Sequence, residues 1–350
     1  MSRRKIIEKD NSSNDNNSHS NSNSHHHHHH HYNGSLGTRV LVVGLGQLGL
    51  PVAQYVKQRG FDTYGHDIST RAMENAERLA GIKKAGNFSD FDVYILCVST
   101  HMPNDIYLPY TDNLMDVARR ISEQADDGAL VCIESTIPLG TARKICSMFN
   151  HRLHVAHVPH RWYVHDQEKY GVNQMRVAGG IEPCCLAMAV QFYSGDLNGN
   201  AFSSNNSRIK GSLGIPIHPV RSAEVAELSK TVENAHRYLQ IAFAEELYIW
   251  CRLNNIDFWE MRDALNTKWN VNILEPREGI GGHCLPKDTR MFLNSSQLIK
   301  SKILSAALEV DLDYRNYKKF ESQATTTTTA NTTSLEDSNS GIGRNVSIPV

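Results

Sequence analysis

The sequence predicts an α/β fold, a doubly wound parallel sheet followed by a long central helix and a small α-helical second domain. Three observations predict it. Apolar runs of strand length alternate with helical patterns between residues 38 and 158, the order that builds parallel sheets. The glycine-rich turn Gly44-Leu45-Gly46-Gln47-Leu48-Gly49 follows the first of those runs directly. Residues 222–254 contain neither proline nor glycine and carry apolar residues at helical spacing, as one uninterrupted helix would.

Residues 1–36 are rich in Ser, Asn and His and include seven consecutive histidines, His25 to His31. Such a segment buries too little apolar surface to offset its ordering entropy, so a disordered tail is expected. The histidine run is read as a purification tag or an idle tract ahead of a metal site. Order is expected to begin at Thr38. Arg39-Val40-Leu41-Val42-Val43 has the β-branched character of a strand, residues 50–59 have helical spacing, and Gly60 stops the helix. A second strand, Phe61-Asp62-Thr63-Tyr64-Gly65-His66, ends at Asp67.

A G-x-G-x-x-G sequence between a strand and a helix, with an acidic residue ending the next strand, is the context of a Rossmann-type dinucleotide site. Gly44 allows the tight turn, Gly46 lets the backbone approach a pyrophosphate, and Gly49 permits close packing of helix on strand. Gln47 and Leu48 complete the cofactor contacts expected of this turn, at the N-terminus of the helix. Asp67 is expected to accept hydrogen bonds from the adenosine ribose, which favours NAD over NADP because a 2′-phosphate would meet a carboxylate.

The alternation continues with strands at 92–98, 129–134 and 153–158 and helices at 112–125 and 141–149. In doubly wound sheets, ligands bind beyond the carboxyl ends of the strands. Val98, Ser99, Thr100 and Thr136 stand there and are candidate cofactor contacts, with ordinary turn and capping chemistry as the competing reading. Residues 196–212 are Asn/Ser/Gly-rich and read as an exposed loop near the end of this domain. An NAD-binding domain over 37–214, a helical dimerisation and catalytic domain over 215–320 and a disordered tail over 321–350 are expected.

At ~1.5 Å per residue the long helix would run close to about 50 Å, enough to join two domains. Lys230 and Asn234 share one of its faces, with Glu227 a turn earlier. They form either a solvated polar face or a pair that reaches a substrate hydroxyl. Short helical segments are expected at 256–265 and from Lys287 to about Tyr317. Between them, Gly279-Ile280-Gly281-Gly282-His283-Cys284 leads through glycines to a cysteine four residues before Asp288, an arrangement more like a reactive site than core packing.

Composition bounds the function. A formal net charge of −1 gives no reason to expect nucleic acid or an acidic membrane surface as partner. There is no unbroken run of about 18 apolar residues, and no apolar stretch follows the basic start Met1-Ser2-Arg3-Arg4-Lys5. The seven cysteines are odd in number and form no C-x-x-C pair, which fits a reducing, cytoplasmic setting with neither a disulfide framework nor a structural zinc site.

The stretches Gly44 to Pro51, Glu134-Ser135-Thr136-Ile137-Pro138-Leu139-Gly140-Thr141, Ala226-Glu227-Leu228-Ser229-Lys230 with Asn234, and Gly281-Gly282-His283-Cys284-Leu285-Pro286-Lys287-Asp288 occur in that order. In these the chain resembles the nucleotide-sugar 6-dehydrogenases, from about Arg39 to Tyr317. The resemblance implies NAD-dependent oxidation of a C6 alcohol of a nucleotide sugar to the carboxylate, through a cysteine-bound thiohemiacetal and thioester. It implies Cys284 as nucleophile, Lys230 as stabiliser of the oxyanion, Asn234 and Asp288 on the hydrolytic water with Asp288 as candidate base, and a homodimer through the long helix. Positive charge near Cys284 is expected to lower its thiol pKa.

Two departures stand out. Pro159-His160-Arg161 occupies the place of a Pro-Glu-Arg sequence whose glutamate serves hydrolysis, so His160 either takes that role or marks its loss. Only 62 residues follow Asp288, too few for the family's third domain of about 100 residues. Two other readings stay open: a two-electron hydroxyacid dehydrogenase using Lys230 and Asn234, and a non-catalytic NAD-binding partner or sensor.

Overall fold

The computed structural model describes residues 37–102, 104–105, 108–162, 170–195, 208–295 and 301–332, without the side chains of 324–332. The N-terminal tail, the segment 196–207 and residues 333–350 lie outside the described residues, and so do the expectations made for them.

Among the described residues, eight strands form one sheet in the order β3-β2-β1-β4-β5-β6-β7-β8. They are β1 (Arg39–Val43), β2 (Asp62–His66), β3 (Lys83–Lys84), β4 (Val93–Leu96), β5 (Leu130–Ile133), β6 (His154–His157), β7 (Arg176–Gly180) and β8 (Ile217–Val220). The helices α1 (Gly49–Gln58), α2 (Thr70–Ala80), α3 (Asp112–Gln124), α4 (Thr141–Met148) and α5 (Pro183–Ser194) connect them. The chain reverses its strand order between β1 and β4, so the crevice beyond the carboxyl ends of those strands is the switch point where ligands bind in such sheets.

The five predicted strands all form, and β1, β4 and β5 are almost wholly buried, which is why they read as continuous apolar runs. Two cores flank them, one under α1, α2 and α5 with Val40, Val56, Ile95 and Phe192, the other under α3 and α4 with Leu41, Tyr94, Leu114 and Ile145.

Composition gave no signal for β3, β7, α5 and β8. β3 is a two-lysine edge strand, a composition that discourages further pairing. β8 is the opposite edge and contains Pro219, which only an edge tolerates easily. β7 runs antiparallel to β6, the one antiparallel pair of an otherwise parallel sheet, while β8 is parallel to β7. The sheet therefore extends past residue 214 to Val220.

The long helix is real: α6 spans Ala223–Leu253, 31 residues, capped by the Ser222 side chain, which accepts from the Val225 N–H. Its first turn packs on the sheet, where a Cβ on Gly179 of β7 would lie 2.2 Å from the Ser222 carbonyl oxygen. The rest of the helix carries the second domain. Tyr238 and Ala242 pack with Ile280 and Ala307, and Ala244 and Cys251 with Phe258 and Ile273. That domain holds α7 (Phe258–Asn266), α8 (Cys284–Asn294) and α9 (Lys302–Thr332). α9 runs into the Thr-rich stretch where composition alone predicts disorder. No helix among the described residues is long and apolar enough to cross a membrane.

Candidate active site

The glycine turn after β1 is shaped by contact. Gly44 has φ of +88°, and a Cβ there would lie 2.6 Å from the Cys97 carbonyl oxygen; a Cβ on Gly49 would lie 1.7 Å from the Gly44 oxygen. These two glycines let α1 start directly against the sheet. Nothing stands within 4 Å of a Cβ position at Gly46, which is exposed with Gln47, so this part of the turn is open to a ligand at the first turn of α1. Asp67 Oδ2 accepts the Leu45 N–H at 2.7 Å and Oδ1 accepts the Ser69 N–H at 2.8 Å. Its carboxylate is thereby fixed at the rim of the turn. Beside it opens a cavity of about 490 Å³ lined by His66, Asp67, Ile68, Lys84 and Arg120 among others. An open pyrophosphate cradle with an oriented acid beside a cavity fits a dinucleotide.

The loops after β4 and β5 are tied to each other. Thr100 Oγ1 donates to the Thr136 carbonyl at 2.7 Å, and Ser135 Oγ donates to the Val98 carbonyl at 2.6 Å. Ser99 is exposed and its hydroxyl contacts His101 Nδ1 at 2.9 Å. Thr100 is buried and spends its hydroxyl on loop geometry, whereas Thr136 is half-buried. Thr100 also links the loops to α8, because Lys287 Nζ approaches its Oγ1 at 3.5 Å.

α8 begins at Cys284. Four residues on, the same face carries Asp288, which is almost fully buried. Lys287 Nζ lies 2.9 Å from Asp288 Oδ1, and Asn234 Nδ2 of α6 donates to Asp288 Oδ2 at 2.5 Å. The residues predicted from the sequence as a distant set, Asn234 on one helix and Asp288 on another, are thus in contact. Cys284 is exposed at its surface side, yet desolvation by the groups packed around it is the largest influence on its thiol and raises the pKa; Asp288 adds to this, while Lys230 and Lys287 pull it down without prevailing. This corrects the expectation of a lowered thiol pKa: desolvation outweighs the two ammonium groups. His283 Nε2 stands 3.6 Å from the Cys284 sulfur. Burial first, then Lys287 and His101, hold this imidazole below its usual pKa, so it is neutral and can accept a proton.

His160, in the loop after β6, is buried and pairs through Nε2 with Glu134 Oε2 at 2.7 Å. Burial and then Arg176 hold His160 down at about 4. Burial alone would raise Glu134, but Arg176 and His160 outweigh it and hold that carboxyl at about 2. The carboxylate is further bound by Arg176 at 2.6 Å and by the Tyr193 hydroxyl at 2.5 Å. With Nε2 turned to the Glu134 carboxylate, Nδ1 is the ring nitrogen left to accept a proton when the imidazole is neutral. The Lys230 charge lowers the pKa of both His160 and Cys284.

Sequence reasoning missed Glu134, Arg176, Tyr193, His283 and Lys287. The two in the Gly281 to Asp288 motif were visible there; Arg176 lay in a stretch without periodic signal. Glu227, grouped with Lys230 and Asn234 by helical spacing, has a different task. Its carboxylate accepts the N–H groups of Gly140 at 2.6 Å and Ala142 at 2.8 Å, capping α4 and locking α6 to the sheet domain. A second cavity, about 760 Å³, opens between α6 and α9; its lining includes Arg252, Lys318 and Glu321, and the Glu321 carboxylate pairs with both of the cations.

Two family models match, the NAD binding domain of the UDP-glucose/GDP-mannose dehydrogenase family over residues 73–195 and the central domain of the same family over 224–312. Together they span more than half of the chain. A UDP-N-acetyl-D-mannosamine dehydrogenase from Pyrococcus horikoshii is 29% identical over 289 residues, covering 74% of this chain and 65% of that protein. The chain therefore spans slightly less than two thirds of that relative. The structure of a UDP-D-ManNAc dehydrogenase from the same organism superposes with a TM-score of 0.66 at 27% identity, over 80% of this chain and 69% of that one. A 3-hydroxyisobutyrate dehydrogenase from Mycobacterium tuberculosis, 16% identical, shares the fold with a TM-score of 0.57 over 79% of this chain and 93% of its own.

Proposed function

Because the chain belongs to the UDP-glucose/GDP-mannose dehydrogenase family, we propose that it oxidises the C6 primary alcohol of a nucleotide sugar to the carboxylate, with Cys284 as covalent nucleophile. The observation that carries this reading is the convergence of Cys284, Asp288 and Asn234 on one end of α8. A simple two-electron dehydrogenase has no use for a thiol there.

NAD, held at the α1 turn, would supply the hydride acceptor, one molecule for each of the two oxidations. The chain's own residues do the rest. Lys230, whose charge acts on both His160 and Cys284, stabilises the alkoxide that forms first as the alcohol gives its proton to solvent. Cys284 then adds to the aldehyde carbon; its thiol proton passes to the neutral His283 imidazole and the new oxyanion is held by Lys230, giving a thiohemiacetal. Loss of the second hydride yields the thioester. A water held by Asn234 attacks it, His160 Nδ1 accepts the water's proton, and the Cys284 thiolate leaves. Asp288, accepting from Asn234 and ion-paired with Lys287, holds those two groups in place. The carboxylate product and the regenerated thiol balance four electrons and one added water.

The names of the relatives make UDP-N-acetylhexosamines the first substrates to test. Exposed Val232, Phe243 and Trp250 on α6 support pairing of two copies through that helix. A panel of UDP-, GDP- and CDP-sugars, with free and phosphorylated sugars, should give NADH with a nucleotide sugar; NAD binding without turnover on the whole panel would sink the proposal in favour of a binding module.

A further inference from the structure

We propose that His154, Cys184 and Cys185 form a binding site for one thiophilic divalent cation, zinc being the expected occupant, on the side of the sheet opposite the dinucleotide crevice. One ligand atom from each of the three residues lies within 4.8 Å of the other two. The Cys185 sulfur stands 3.7 Å from His154 Nδ1. A tetrahedral zinc with bonds of about 2.3 Å to sulfur and about 2.0 Å to nitrogen requires S···N edges of roughly 3.6 Å and S···S edges of roughly 3.8 Å. The cluster is therefore close to ligating geometry before any ion enters.

The fold assembles it from places that the sequence keeps 30 residues apart. His154 opens β6 at the amino end of the parallel strands. β7 returns antiparallel beside it, and the Ile181 N–H donates to the Val155 carbonyl at 3.0 Å, which brings the start of α5 against the start of β6. Pro183 occupies the first turn of α5, so Cys184 and Cys185 follow at its N-terminus. Adjacent cysteines escape the C-x-x-C pattern by which zinc sites are found in sequences; only the imidazole from another strand completes the set.

Binding exchanges protons without redox change: the cation enters, the two thiols release their protons to solvent, and neutral His154 supplies the Nδ1 lone pair. Cys184 is exposed and Cys185 buried, so one ligand faces the entry path and the other the core. Three ligands leave the fourth tetrahedral position to water. The bound ion would clip β6 to α5, independently of the dehydrogenase reading.

The test is a cobalt(II) titration of the reduced full chain, followed by the thiolate-to-cobalt charge-transfer absorption. The His25–His31 run offers no sulfur and is common to all variants. One equivalent of sulfur-bound cobalt, displaced by zinc, unchanged in Cys284→Ser and weakened at least about tenfold in Cys184→Ser and in His154→Gln, is the expected result. Cys184 is exposed, so its serine variant should keep the fold. Absence of the absorption in the wild-type chain, or its full retention in Cys184→Ser, would overturn the proposal.

Discussion

Asn234 Nδ2 lies 2.5 Å from Asp288 Oδ2, so the spine helix α6 is fixed to the helix that begins at Cys284. Asp288 also pairs with Lys287, and its negative charge is one reason the Cys284 thiol sits above its ordinary pKa.

That charge has a measurable sign. With a raised pKa, little thiolate exists at pH 7, and alkylation of Cys284 by iodoacetamide should accelerate steadily as pH rises into the alkaline range. Asp288→Asn removes a charge that raises the thiol, so alkylation at pH 7 should quicken by roughly three- to tenfold. Lys230→Met removes a charge that lowers it and should slow the same reaction. Mass-spectrometric rates for the Cys284 peptide separate these outcomes.

At the cofactor turn, Asp67 is held by the Leu45 and Ser69 N–H groups. Asp67→Ala should weaken NAD binding by roughly tenfold, the loss of about 1.4 kcal/mol expected of a charge-assisted hydrogen bond, and should narrow the preference for NAD over NADP. Calorimetric titration with both dinucleotides measures the two effects together.

Beneath the site, the buried Glu134–Arg176 pair leaves an uncompensated charge if one partner goes. Arg176→Met should cost about 3–5 kcal/mol in urea unfolding. The Glu134 carboxyl is held near 2, below its unfolded value. Its contribution to stability is therefore present above the unfolded carboxyl range and is lost as pH falls toward 2.

Glu245, buried on α6, has the opposite sign. Burial first, and then Asp311, push its carboxyl up to about 8. Its contribution is full below the unfolded carboxyl pKa and is lost as pH rises through about 8. Glu245→Gln should flatten that alkaline decline and leave the chain more stable than wild type at pH 9, by about 1–3 kcal/mol. Unfolding midpoints at pH 6 and pH 9 test it.

The sequence made the first half of the sheet legible because β1, β4 and β5 are buried on both faces and their apolar runs have no other use. β7 was hidden by composition: Arg176 is a buried partner of Glu134 and Gly179 admits the start of α6, so functional and packing demands replaced the apolar run. The glycine turn was readable because close backbone contacts leave no room for a side chain at Gly44 and Gly49; Asp67 and Cys284 were readable from their places at the end of the second strand and after a second run of glycines. The Glu134, Arg176, Tyr193 and His160 cluster was not, since its members come from the loops after β5 and β6, from β7 and from α5, and meet only in the folded chain. Glu227 shows the limit of helical spacing, which finds a shared face but not what that face meets.

The most direct test of covalent catalysis at Cys284 is the number of NADH formed per nucleotide sugar consumed. Two NADH per substrate, with carboxylate as product and with release of that product abolished in Cys284→Ala, is the predicted result. One NADH per substrate, unchanged in Cys284→Ala, would contradict it.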